Sequence, residues 1–339
     1  MRKRAQSGVA VLVAMMIAAL AASVAVMLTW RQEVWIRQAE NLGDRSQADA
    51  IARAGIDFGR RVLLEDAKQN DKADTLKEDW HRGIPPVPVE NGTVSGLIDD
   101  AQGLYNLNNA VDKTHIAQLR RLLEILNLQP DLANAVADWV DGDTETRFPG
   151  GAEDLDYLGL TEPYRAANRG FVDVEELIRL KGFDAKTVDA LRPFVTALPT
   201  MQPTPINVNT AAPEVLAAVL YIDLGAAKSL AEKRDVQPFT DQSDFTNRAK
   251  PEFDAAKAAE AIKSDASTPT PTPDPSKPGA APPAASTGPQ FGQDFDVQSQ
   301  YFLVNARATF GRSQAAYTAL VARQQQNWPT VVWSRRQID

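Results

Sequence analysis

At 339 residues the chain is long enough for one or two cores, and its formal net charge of −8 makes it a poor general partner for nucleic acid, whose phosphates need clustered Lys and Arg. It has no cysteine, which excludes disulfides and thiolate metal sites. His81 and His115, the only histidines, have no partner visible in sequence and read as surface residues, so no convincing nucleophile–base pair is present.

The first predicted element is a membrane helix. Arg2, Lys3 and Arg4 stand ahead of an uncharged run from Val9 to Trp30 whose only hydroxyls are Ser23 and Thr29. As a helix that run spans roughly 33 Å, enough to cross a hydrocarbon core of about 30 Å. The basic leader predicts a cytoplasmic amino terminus, with everything after Trp30 outside. A secretory signal peptide would have a shorter apolar core, about 7–15 residues, with its small-residue cleavage site behind it. Here the small pair Ser7-Gly8 comes first. That order resembles the class III leader of type IV pilins and type II secretion pseudopilins. The resemblance implies cleavage between Gly8 and Val9 by a prepilin peptidase and methylation of the new Val9 amine. Cleavage would remove Arg2, Lys3 and Arg4 and leave the mature chain more acidic still.

From Arg31 to about Asp66 there is no proline, and Ala, Arg, Glu and Gln favour continuation of the helix. Ile51, Ala54, Phe58 and Val62 recur at three- and four-residue spacing, an apolar stripe for packing on a sheet, and Gly43, Gly55 and Gly59 weaken the helix. Pro85, Pro86 and Pro88 mark a loop or edge strand. Asn91-Gly92 between Val87/Val89 and Val94 predicts a two-residue hairpin turn, and Asp99 to Gly103 a second turn. The run Leu97 to Asn108 (LIDDAQGLYNLN) resembles the D-x-x-G-x-x-N-L-N signature of K-type minor pseudopilins of type II secretion.

A helical pattern then holds from about Val111 to Ser264. Ile116, Leu119, Leu123 and Leu126 share one face of a helix that Pro130 ends, and Leu132 to Val140 forms the next. Between Asp138 and Asp156 seven acids (Asp138, Asp141, Asp143, Glu145, Glu153, Asp154, Asp156) face a single base, Arg147. Carboxylates this crowded either stay solvated or share a hard cation. Asp141, Asp143 and Glu145 have the 1-3-5 spacing of an EF-hand loop, but Thr146 replaces the glycine at position 6 and Ala152 occupies position 12. Asp138 to Tyr157 resembles the K-type segment Asp-Trp-x-Asp-x-Asp … Gly-Ala-Glu-Asp-x-x-Tyr, which implies calcium. Asp141, Asp143, Glu153 and Asp154 are then the expected ligands, with Asp138, Glu145 and Asp156 in reserve.

Leu177 to Phe183 and Ile206 to Lys228 read as helix-hairpin-helix units. Asp184 and Asp223 beside the hairpins oppose phosphate binding, so the units serve to pack helices. From Ser264 to Gln290 there is no Leu, Ile, Val, Met or aromatic residue, and eight prolines lie between Pro269 and Pro289, which predicts a disordered linker. Strands return with the alternation of Tyr301 to Phe310, then Tyr317 to Arg323 and Val331 to Trp333.

The expected fold is α+β: a pilin-like long amino-terminal helix, first part transmembrane, on an antiparallel sheet, with a large all-helical domain inserted between strands. Its divisions are a leader (1–8), a transmembrane helix (9–30), pilin-like helix and first strands (31–110), helical insert (111–263), linker (264–290) and closing strands (291–339). The resemblance implies a non-enzymatic, single-pass inner-membrane subunit, bulk periplasmic, at the pseudopilus tip, where it initiates assembly and supports protein export. Implied partners are the I- and J-type minor pseudopilins, the major pseudopilin and the inner-membrane assembly platform. Val13, the fifth residue after Gly8, stands where most pilins have a glutamate that neutralises a neighbour's amino terminus. Two other classes fit parts of the pattern: a membrane-tethered helix-hairpin-helix DNA-uptake protein, and a tethered hydrolase using the acidic cluster.

Overall fold

The computed structural model describes residues 5–69, 72–200, 202–265, 289–324 and 327–337. The proline-rich linker therefore lies almost wholly outside the described residues. Helix α1 (Ala5–Gln69) runs unbroken through the apolar segment into its amphipathic half. Strands β1 (Ile84–Val89) and β2 (Gly92–Asp100) form a hairpin, with β1 at the sheet edge and its pairing irregular between Ile84 and Val87, where Pro85 and Pro86 stand. After Leu104 comes the two-residue β3 (Tyr105–Asn106), then helices α2 (Lys113–Ile125), α3 (Leu132–Val140) and α4 (Asp154–Leu158). A 3-10 turn (Val174–Arg179), α5 (Ala185–Leu191) and β4 (Val195–Thr196) complete the first half of the insert. The second half holds β5 (Ile206–Asn207), α6 (Pro213–Val219), α7 (Leu224–Val236), α8 (Gln242–Asp265) and β6 (Phe295–Asp296). Strands β7 (Tyr301–Phe310), β8 (Ser313–Ala322) and β9 (Thr330–Gln337) close the fold.

The main sheet has the order β1-β2-β7-β8-β9 and is antiparallel throughout. Because β2 and β7 are neighbours, with Asp100 opposite Phe302, the chain leaves and re-enters the sheet at adjacent points. An insertion of this length therefore leaves the sheet's pairing intact. Alternation along β7 buries Phe302, Val304, Ala306 and Ala308 against α1.

The predicted apolar stripe lies at one margin of the face that packs on the sheet. Ile51 and Val62 pack half-buried against the core and Ala48, Ala52, Ile56 and Leu63 are buried, whereas Ala54 and Phe58 are exposed. The glycines explain the offset. A Cβ on Gly55 would stand 2.9 Å from the Ala306 Cβ, and one on Gly59 would stand 2.5 Å from a Val304 methyl. Residues that weaken an isolated helix here let its backbone lie directly on the sheet.

Other boundaries shift for local reasons. The hairpin turn is Glu90-Asn91, with Val89 paired to Gly92 and Glu90 taking the positive φ. Gly92 already lies in the ladder, where a side chain would strike the Thr309 carbonyl. Asp99 and Asp100 belong to β2, and only Ala101–Gly103 turn. Helix α2 stops before Pro130: Asn127 adopts φ +56° and the Leu128 amide reaches back to the Leu123 carbonyl, a left-handed C-terminal cap.

The inserted domain is mainly helical, but two short parallel ladders, β3 with β4 and β5 with β6, interrupt it. They mark an internal repeat. Tyr105-Asn106-Leu107-Asn108-Asn109-Ala110 and Ile206-Asn207-Val208-Asn209-Thr210-Ala211 each open one half. In the first, Asn108 clamps both backbone groups of Phe171, accepting from its amide at 2.6 Å and donating to its carbonyl at 3.0 Å. In the second, Asn209 does the same to Phe239, at 2.8 and 2.9 Å. The core of this domain also takes in Phe295 and Val297, with Phe291 packed against it, so the chain beyond the linker joins the insert before it re-enters the sheet at Tyr301.

Candidate functional site

The acidic loop between α3 and α4 holds one of two groups of three close carboxylates among the described residues. Oxygens of Asp141, Asp143 and Glu153 lie within 4.8 Å of one another. Asp141 follows the last residue of α3, and Glu153 is the N-cap of α4, so two helix ends bring the group together. Asp141 Oδ1 and both Glu153 oxygens are buried with no hydrogen-bond partner among the described residues. Buried, unpartnered carboxylate oxygens carry a large desolvation cost that a bound cation removes. Burial, followed by the charges of Asp138, Asp141, Asp143 and Asp154, pushes Glu153 up to about 7.

The other expected ligands are engaged elsewhere. Asp154 accepts from the Ala166 amide at 3.0 Å and faces Arg165. Asp138, fully buried, is held by the Arg147 guanidinium at 2.8 Å and its amide at 3.1 Å, and Arg147 also pairs with Asp141. Asp156 pairs with Lys181 at 2.8 Å and accepts from the Glu153 amide. Glu145 is exposed. The donor set is all oxygen, with no histidine in the group, which suits a hard cation such as Ca²⁺ and does not suit zinc. The residues present fit a hard cation of this kind, which Asp141, Asp143 and Glu153 could hold.

The histidines differ from expectation in one case. His115 is buried near the start of α2, its Nδ1 2.7 Å from Asp112, because the Asp112 cap folds back over the first turn. The hairpins of the helix-hairpin-helix segments are exposed at Gly182 and Gly225, but their helix starts are already occupied. Asp184 accepts from the Thr187 amide and Asp223 from the Ala226 amide, so carboxylates already occupy those helix starts.

The D-x-x-G-x-x-N-L-N run proves to be a structural hub. Asp100 Oδ2 accepts from Ser299 and Thr210 hydroxyls, each at 2.6 Å, and from Asn207 at 3.0 Å. Asn106 accepts from the Leu198 amide, and Asn109 binds both backbone groups of Thr204. At the other end of the chain, Val9 and Val13 lie on the exposed apolar part of α1, none of which is buried in the molecule. Position 8 is helical backbone, so the leader junction is continuous with the membrane helix.

A helix that is apolar first and packs its second half on an antiparallel sheet defines a membrane-anchored pilin-like subunit, here with a helical domain inserted into the sheet. Family models described as type II secretion system protein K match residues 103–200 and 206–267. The type II secretion system protein K of Pseudomonas aeruginosa is 36% identical over 72% of this chain and 77% of its own length. That of Aeromonas hydrophila is 30% identical over 72% of this chain and 81% of its own. A crystal structure of the GspK-GspI-GspJ complex from enterotoxigenic Escherichia coli superposes with a TM-score of 0.70 at 20% identity, covering 89% of this chain and all of the matched one. The chain belongs to the type II secretion system protein K family, and is a minor pseudopilin anchored in the inner membrane by one helix with its bulk in the periplasm. The DNA-uptake reading is not supported.

Proposed function

We propose that this subunit works without catalysis at the tip of the type II secretion pseudopilus, initiating assembly together with I- and J-type minor pseudopilins. The observation that carries this reading is where the insert sits. It joins the sheet at Asp100 and Tyr301, beside the end of α1 farthest from the membrane, where Asp66 meets Arg323 at 2.8 Å. A domain crowning that end obstructs a further subunit stacked above it. Val13 supports the same conclusion, because it offers no carboxylate to the amino-terminal ammonium of a preceding subunit. An unpaired charge at that depth costs at least about 2.5–3.5 kcal/mol. Before assembly, a prepilin peptidase cleaves between Gly8 and Val9, and the major pseudopilin and the assembly platform extend the filament below. Copy number in isolated pseudopili tests the reading: one copy supports it, and many along the shaft contradict it.

Calcium, in this reading, supplies structural charge neutralisation between the ends of α3 and α4. Asp141, Asp143 and Glu153 hold it, and Arg147 keeps Asp138 and Asp141 in place. At about a hundredfold excess over Kd, a ligand specific for the folded state stabilises it by about 2.7 kcal/mol. For a domain of this size that shifts Tm by about 5–10 °C. Since Glu153 ionises only near 7, the shift is expected to be larger at about pH 8 than at about pH 6, where protons compete for the same oxygens. Differential scanning calorimetry in calcium against chelator checks this, and Asp141→Ala with Asp143→Ala is expected to abolish the shift. An unchanged curve in the wild type returns the cluster to a solvated loop.

A further inference from the structure

Arg147 is the only base between Asp138 and Asp156, and its own backbone aims its side chain. Its amide donates to Asp138 Oδ2 at 3.1 Å, and its carbonyl accepts from the Gly151 amide at 3.0 Å. The turn this closes is so tight that a Cβ on Gly151 would overlap both Asp138 Oδ2 and the Arg147 carbonyl oxygen. From there a single guanidinium nitrogen, Nη1, donates to Asp138 Oδ1 at 2.8 Å and to Asp141 Oδ2. Asp138, fully buried, thus receives a donor on each oxygen from one residue. Asp141 receives only one: its Oδ1 is buried without a partner, like both oxygens of Glu153.

A cation that takes one oxygen from each of two carboxylates stands where a bridging metal ion would stand. We propose that Arg147 is a resident cation: its guanidinium fills a second metal position between Asp138 and Asp141, so that the loop takes one divalent cation, at Asp141, Asp143 and Glu153, and takes two when Arg147 is removed. The proposal rests on the calcium reading above. Charge agrees with it. Ionised Asp138, Asp141, Asp143 and Glu153 are nearly neutralised by the guanidinium and one divalent cation. A second divalent cation beside Arg147 would compete with it for the same Asp138 and Asp141 oxygens.

The joint between the sheet and the insert shows the complementary case. There Arg323, at the end of β8, donates to Asp66 at 2.8 Å and to both Asp74 oxygens at 2.5 Å, within a group of close carboxylates completed by Glu78. Its guanidinium reaches two of the three members, and among the described residues no carboxylate oxygen of that group is buried without a partner. Arg147 reaches only Asp141 of its group, and three buried oxygens are left over. The space Arg147 fills is open to exchange, since its side chain is 30% exposed. Arg147→Ala would admit water and ions there and leave buried Asp138 without a counter-charge until a cation arrives.

Equilibrium dialysis of the full-length protein in detergent counts the calcium held by the loop, taken as the calcium lost when Asp141→Ala and Asp143→Ala are introduced together. One ion is expected in the wild type, one in Arg147→Lys, which keeps the charge, and two in Arg147→Ala. Because each ion stabilises the folded state alone, the rise in Tm from chelator to calcium is expected to be about twice as large in Arg147→Ala as in the wild type. Two ions in the wild type overturn the proposal and leave the calcium reading standing, a result that holds even if Arg147→Ala fails to fold. So does one ion in Arg147→Ala with Tm lowered equally in calcium and in chelator, the behaviour of a side chain that only packs. No calcium in the wild type contradicts the calcium reading itself, and the proposal falls with it.

Discussion

Gly8→Leu is expected to leave the chain entirely in its precursor form. In the proposed processing, peptidase recognition across Gly8-Val9 would depend on a small residue at the end of the basic leader, and α1 is continuous helix through this point. A leucine there extends the apolar run toward Arg4 and removes the small residue directly before the expected cleavage point. Mass spectrometry of the membrane fraction is expected to show the wild type beginning at N-methylated Val9, and the variant beginning at Met1. The effect is all-or-none. If the wild-type protein retains Met1 to Gly8, the processing account fails.

The second large effect lies in the signature run. Asn108 is buried and satisfies the Phe171 amide at 2.6 Å, the Phe171 carbonyl at 3.0 Å and the Leu198 carbonyl at 2.8 Å. Asn108→Ala leaves those groups buried without partners, each costing about 1–3 kcal/mol, so a loss of about 3–5 kcal/mol is expected. Asn209→Ala removes the equivalent clamp on Phe239 and is expected to fall in the same range. Urea unfolding of the full-length protein in detergent measures both. A loss below about 0.5 kcal/mol, typical of an exposed site, would show that the clamps are not what holds the repeats together.

Large periodic features were legible. The uncharged run announced the membrane helix, the alternation from Tyr301 to Phe310 announced β7, and Leu132–Val140 was placed to the residue. Periodicity placed Ile51 and Val62 against the sheet but not the centre of the packing face of α1. There the informative residues are Gly55 and Gly59, which carry no apolar side chain to count. The signature run was recognised by resemblance, but its physical role depends on partners about a hundred residues away, such as Thr204 and Asn207. The internal repeat could have been found by comparing the chain with itself, since NLNNA and NVNTA stand in plain view.

The acidic loop shows the limit from another side. Composition located it, and the structure brings together Asp141, Asp143 and Glu153. It could not show that Asp154 turns to the Ala166 amide, or that Asp138 and Asp156 have basic partners in Arg147 and Lys181. Ligand spacing along a loop does not determine which carboxylates face inward. The joint around Arg323 left no local trace at all, because its ion pairs reach across 249 and 257 residues.

The central claim is that this subunit occurs once, at the tip, because its helical domain crowns the membrane-distal end of the pilin-like unit. Quantitative mass spectrometry of purified pseudopili, combined with cross-linking along the filament, measures that directly. The account predicts a single copy per filament, cross-linked to I- and J-type minor pseudopilins at one end. Recovery of this chain at many copies, cross-linked to itself along the shaft, would contradict it.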